Sequence, residues 1–181
     1  SYTMGVEALR NNNPEEALEY LNKELEDNPD NGYALAWIAF VRNYHGEYGR
    51  ALTAADLAVR KIPENDKEYR AFAYVVRAEA HVALGEDEKA LDDLTSAAVE
   101  TPDDIEIYGK RADLYCYMGK YDLAEKDYRK VISIAPDNVL GYMGIGLIAN
   151  VEKRYEDAIE LFAYVTGLAP EYSSGYPFRA E

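Results

Sequence analysis

The chain is 181 residues long, 48 % apolar, with a net charge of −15. Binding DNA, RNA or an anionic membrane surface rests on Lys and Arg meeting phosphates, so a chain this acidic suits none of them, and no run approaches the 18 or so apolar residues of a membrane span. One cysteine, Cys116, excludes both an internal disulfide and a cysteine zinc cluster.

Five prolines, Pro29, Pro63, Pro102, Pro136 and Pro170, divide the chain at spacings of 34, 39, 34 and 34 residues. Twelve positions before each stands an alanine: Ala17, Ala51, Ala90, Ala124 and Ala158. Twenty-four positions before each stands a small residue: Gly5, Ala39, Ala78, Ala112 and Gly146. A 34-residue period is the mark of stacked helical hairpins. Small residues at both landmarks let the two helices of a hairpin approach closely. The expected fold is therefore all-α.

In chain order, 1–31 is a first repeat that starts partway through its first helix. Glu24 holds a slot that is apolar in the other four repeats and Asp27 one that is apolar in two of them, and both are expected to face water. The second repeat, 32–65, turns at Gly46. Residues 66–70 are surplus to the period, and Asn65 with Glu68 makes a capping-box-like start. That reading lengthens the next helix by about 7.5 Å at 1.5 Å per residue; the alternative is a loop. The third repeat, 71–104, turns at Gly85. The fourth, 105–138, is the clearest: Tyr108, Ala112 and Tyr115 share one helical face, Met118-Gly119-Lys120 stops it, and Tyr121, Ala124, Tyr128 and Val131 form a second stripe. The fifth is 139–172, and 173–181 opens a sixth with Tyr176 and Ala180 before the chain stops. No polar capping helix is visible at either end, and a piece of a longer protein is the simplest account. Each proline is followed by Asp or Glu, and usually then by Asn or Asp suited to cap the next helix.

These landmarks resemble the tetratricopeptide repeat family. The closest stretch is Tyr108 through Pro136, with the run Gly119-Lys120-Tyr121-Asp122-Leu123-Ala124-Glu125 and the ending Ala135-Pro136-Asp137-Asn138. The resemblance implies a right-handed superhelical solenoid of antiparallel helix pairs, whose first helices line a concave groove. Such arrays bind rather than catalyse.

The residues agree. There is no Gly-rich phosphate loop, no paired metal-ligand motif and no nucleophile elbow, so no catalytic residue, cofactor or metal is expected. His81 falls on the core side of its helix and reads as a hydrogen-bonded structural histidine. His45 sits beside the Gly46 turn, and Cys116 reads as a packed thiol. Asp92-Asp93 and Asp103-Asp104 read as solvated surface and helix starts. Arg42, Arg77 and Arg111 hold core-facing slots and either pair with nearby acids or, the preferred reading, simply lay their stems over apolar surface.

On the implied fold, the inward slots are zoned. Tyr33, Trp37, Phe40 and Tyr44 of the second repeat and Phe72, Val75 and Val76 of the third are aromatic or aliphatic. The middle is polar and net acidic, with Glu79, Glu106, Lys110 and Asp113. Leu140, Met143 and Leu147 are apolar again. One known activity of the family, a clamp on the C-terminal carboxylate of chaperones, needs Lys, Arg and Asn at set slots. Here those slots hold such residues as Tyr2, Trp37, Phe72 and Val76, which argues against it. The expected function is a non-enzymatic scaffold whose groove takes an apolar peptide or helix with a basic residue. The alternative for the groove is that its aromatics pack on one another or on a neighbouring repeat. The alternative functions are a self-association module forming a homodimer and an accessory region of a larger enzyme.

Overall fold

The computed structural model describes residues 1–168, and among them it is all-α, with ten helices and no strand. Pro170 and the expected sixth repeat lie outside the described residues. Two compact units divide the chain, the first spanning Ser1–Pro102 and the second beginning at Asp103. In the first, α1 (Tyr2–Arg10) pairs with α2 (Pro14–Asp27), α3 (Gly32–Tyr44) with α4 (Tyr48–Lys61), and α5 (Lys67–Ala83) with α6 (Asp87–Glu100). In the second, α7 (Ile105–Tyr117) pairs with α8 (Tyr121–Ile134) and α9 (Val139–Val151) with α10 (Tyr155–Leu168).

Each hairpin turns on one residue in the left-handed region. Three are glycines, Gly46, Gly85 and Gly119, with φ of +74°, +74° and +71°. The other two hairpins place Asn12 and Lys153 there, at φ +56° and +64°. A side chain at left-handed φ costs about 1–2 kcal/mol, and asparagine tolerates it better than lysine does. Lys153→Gly is therefore expected to raise stability by about 0.5 kcal/mol once the backbone entropy of glycine is deducted. Gly119→Ala should lower it by about 1 kcal/mol. Urea unfolding followed by circular dichroism measures both, and a Lys153→Gly protein no more stable than its parent contradicts the strain.

The residues after the prolines cap the first helices. Asn31 Oδ1 accepts from Ala34 N at 3.1 Å, Asp104 from Glu106 N at 2.9 Å and Asn138 from Leu140 N at 2.9 Å. The insert differs from the expected start: the cap of α5 is Asp66, accepting from Tyr69 N at 3.4 Å, and not Asn65. Lys67–Arg70 are helical, so α5 has 17 residues against 13 in α3, α7 and α9.

The small landmark residues sit where helices of a pair meet. Ala17, Ala51, Ala90 and Ala124 have no exposed surface. A Cβ on Gly5 would stand 2.7 Å from Leu21 Cγ, so only glycine lets α1 approach α2 there. In the first unit Ala17, Leu21, Ile38, Ala39 and Val76 share one core. In the second, Ala112, Ala124, Tyr128, Ile145 and Ile148 do the same.

Three polar expectations fail. Glu24 does not simply face water: its carboxylate accepts from Ser1 Oγ at 2.7 Å, Tyr2 N at 3.1 Å and Asn31 Nδ2 at 3.0 Å. Those donors, Ser1 and Asn31 first, hold its carboxyl below the usual carboxylate range. Arg77 and Arg111 do not merely run over apolar surface. Arg77 grips Asp93 with two bonds of 2.9 and 2.6 Å and reaches Asp56 at 2.8 Å. Arg111 grips Asp127 at 2.7 and 2.8 Å. Asp93, expected on the solvated surface, is thereby buried. Both pairs are sixteen residues apart, a repeat-locked spacing that Arg42 lacks because Ala58 stands sixteen positions on.

Candidate functional site

In the first unit, α1, α3 and α5 each contribute aromatic rings to one continuous cluster. Nearest the helix starts, Tyr2, Tyr33 and Tyr69 form a row with centroids 6.4 and 4.8 Å apart. Their hydroxyls are all engaged: Tyr33 donates to Asp66 Oδ2 at 2.9 Å, and the Tyr2 and Tyr69 oxygens lie 3.2 Å apart. Burial, then the Tyr69 contact, pushes the Tyr2 phenol up from its ordinary range, and the bond to Asp66 does the same for Tyr33. One helical turn further along, Trp37 lies 4.5 Å from Phe72 and 5.7 Å from Phe40, with Phe40 and Phe72 6.1 Å apart. Tilted and edge-on rings at these distances attract beyond their area burial.

This cluster gathers Tyr33, Trp37, Phe40 and Phe72, four of the expected slots. Phe40 keeps 39 % of its surface exposed and Tyr44 75 %. Tyr44 stands apart from the cluster, 5.6 Å from the His45 ring. Val75 and Glu79 are half-buried on α5. Val76 is misassigned by the sequence: it is 1 % exposed, sits in the core, and its carbonyl accepts from Asn43 Nδ2 at 2.8 Å. Tyr69 is the residue the repeat register misses, because it lies in the insert where the period assigns no slot. The signal available was an aromatic in a surplus segment that extends the first helix of a repeat.

In the second unit, Lys110, Asp113 and Glu106 lie exposed on α7, Leu140 and Met143 are half-buried on α9, and Leu147 is exposed. Asp113 Oδ1 accepts from the buried Tyr128 hydroxyl at 2.5 Å; burial first, and then this bond, pushes that phenol above its ordinary range. Leu140 covers Gly109, where a Cβ would stand 2.7 Å from Leu140 Cδ2. Cys116 is half-buried beside this group, and burial pushes its thiol up, toward an inert protonated form.

The remaining polar candidates hold structure. His81 is buried, with Nδ1 2.6 Å from Glu86 Oε2 and Nε2 3.8 Å from Asp93 Oδ2. Among the described residues no group of three His, Cys, Asp or Glu side chains is placed to hold a metal ion. No described helix is long and apolar enough to cross a membrane.

Comparison with known proteins agrees with this architecture. Two models described as tetratricopeptide repeat match residues 2–66 and 105–138. Small glutamine-rich tetratricopeptide repeat-containing protein 2 of Saccharomyces cerevisiae is 30 % identical over 106 residues, 58 % of this chain and 31 % of that protein. The chain spans less than a third of the curated relatives it matches. The crystal structure of MamA superposes with a TM-score of 0.80 at 24 % identity, covering 96 % of this chain and 98 % of that one. YrrB, described as a TPR protein with an unusual peptide-binding site, superposes at 0.75 with 19 % identity, covering 95 % and 86 %. With the proline and alanine ladder, the hairpins and the two repeat models in agreement, the chain belongs to the tetratricopeptide repeat family.

Proposed function

We propose that this repeat protein, a protein-interaction scaffold, captures an apolar segment carrying a basic residue on the aromatic face of its first unit, without catalysing a reaction. The observation that carries the reading is Phe40, 39 % exposed on top of the Trp37–Phe72 contact. Rigid aromatics presented to solvent on a packed base are the usual anchors of an interface. The charge fits a basic partner: residues 1–102 carry twenty carboxylate side chains against ten Lys and Arg. Complementary charge of that kind speeds encounter and sets specificity more than it adds affinity. The apolar side chains at Trp37 and Phe72 and the burial of Val76 argue against a carboxylate clamp on the first unit.

The test is calorimetric titration of an amphipathic twelve-residue peptide of leucine and lysine into the protein. Phe40→Ala is expected to weaken binding several-fold, and Phe40→Ala with Trp37→Ala more than tenfold, in line with about 1–2 kcal/mol for each truncated anchor. Circular dichroism checks that the helices persist. Unchanged affinity in the folded double variant sinks the reading.

A further inference from the structure

Asp113 and Tyr128 form a polar pair that the repeat itself does not require. At the slot of Tyr128 the other four repeats carry Leu21, Ala55, Leu94 and Phe162, all wholly apolar. Tyr128 is 4 % exposed and packs in the core of the second unit, yet its hydroxyl donates to Asp113 Oδ1 at 2.5 Å. A phenylalanine would fill the same space without a hydroxyl that must find an acceptor. The ring is fixed in place, because a Cβ at Gly144 of α9 would overlap three of its atoms. It therefore holds one oxygen of an exposed carboxylate where α7 and α9 meet. Departures of this kind from a local rule are where function is expected.

Glu106, Lys110, Asp113 and Tyr117 follow one another at helical spacing and form an exposed stripe along α7. Glu106 and Lys110 are opposite in sign, so Asp113 sets the charge of this stripe. Among the described residues no Lys or Arg pairs with Asp113. Leu140 meets Gly109, and the Tyr128 ring fills the space at Gly144 while its hydroxyl meets Asp113, so α7 and α9 run in step. Leu147, 56 % exposed, stands one turn beyond Gly144, and Tyr117, 79 % exposed, one turn beyond Asp113. A carboxylate with one oxygen committed is thus bordered by an aliphatic side chain and an aromatic ring. Residues 103–168 carry twelve carboxylate side chains against eight Lys and Arg, which also favours a cation.

We propose that the second unit binds a lysine side chain of a partner protein segment, with the ammonium on Asp113 and the stem laid along Leu147 and the Tyr117 ring. Lysine fits better than arginine. An ammonium needs one oxygen, whereas the two-pronged bond of a guanidinium calls for both, and Tyr128 already holds Oδ1. The four-carbon stem covers apolar surface, and the ammonium gains from the ring face. Because Tyr128 fixes the carboxylate beforehand, less side-chain freedom is lost on binding than at an ordinary surface ion pair. The site stands on residues of the second unit alone, and the aromatic face of the first unit neither supports nor requires it.

The experiment titrates the leucine–lysine peptide, and the same peptide with every lysine replaced by glutamine, into the protein and follows nitrogen–proton correlation spectra. The lysine peptide is expected to shift the amides of residues 109–117 and 140–147, and the glutamine peptide to bind there at least about threefold more weakly. Asp113→Asn removes the charge but leaves an oxygen for the Tyr128 hydroxyl, so the unit keeps its fold. It should weaken binding of the lysine peptide at these residues about three- to fivefold at low salt, and the remaining binding should lose most of its salt dependence. Amides of residues 1–102 report on the aromatic face in the same spectra, so failure there is told apart from failure at Asp113. Affinity at residues 109–117 and 140–147 that is unchanged in Asp113→Asn overturns the proposal, as does a lysine peptide that leaves these amides unmoved. Equal binding of the glutamine peptide means that the surface takes apolar chain without reading charge, and overturns it too.

Discussion

Arg111→Met is expected to cost about 3 kcal/mol of stability, and Arg111→Met combined with Asp127→Leu to recover most of it. Arg111 and Asp127 join α7 to α8 through two parallel bonds, with side chains 15 % and 9 % exposed. Taking away the guanidinium strands a carboxylate where water cannot solvate it, which typically costs 3 kcal/mol or more. Taking away both leaves an apolar contact of similar volume, and such replacements are often close to neutral. Urea unfolding of the two singles and the double closes the cycle, with a coupling of at least about 2 kcal/mol expected. A coupling near zero would mean that the pair is solvated in solution. Arg77–Asp93 is the matching pair of the first unit, with Asp56 also 2.8 Å from Arg77.

Gly144→Ala is the second large effect, and its sign is what makes it informative. In an exposed helix, replacing glycine by alanine stabilises by about 1 kcal/mol. Gly49 in α4 is such a site, with nothing within 4 Å of an added Cβ, and Gly49→Ala should show that gain. At Gly144 the space is filled by the Tyr128 ring, three atoms of which an added Cβ would overlap. The ring must move, and with it the hydroxyl that reaches Asp113. Overpacking of this kind costs 1–3 kcal/mol, so a net loss of about 2 kcal/mol is expected after the propensity gain. In a Tyr128→Leu background the same substitution should cost nothing. A penalty that survives there points to the backbone of α9 rather than to the ring.

Legibility in the sequence followed periodicity. The hairpins, their glycine turns at Gly46, Gly85 and Gly119, and the buried landmark alanines all recur at a fixed interval, and a recurring residue reports a recurring environment. What the period could not place was whatever departs from it. Tyr69 and Asp66 belong to no slot, yet they complete the tyrosine row with Tyr2 and Tyr33. Val76 occupies a slot that geometry turns inward, because Asn43 and the neighbouring core draw α5 against α3 at that level. The ion pairs were half-visible: the sixteen-residue spacing of Arg77–Asp93 and Arg111–Asp127 is in the sequence, but only burial distinguishes a pair from two solvated charges.

By itself the sequence determined the all-α repeat architecture and the aromatic character of the residues on α3 and α5. Only the tertiary structure decided that Phe40 and Tyr44 stay exposed while Trp37 and Phe72 are half-buried, and that the Tyr2 and Tyr69 hydroxyls meet. The physical reason is that helical hairpins follow from local pattern, through propensity, turn conformation and the pairing of small residues. Exposure and hydrogen bonding of a side chain depend instead on residues 30 to 70 positions away, and only packing brings those together.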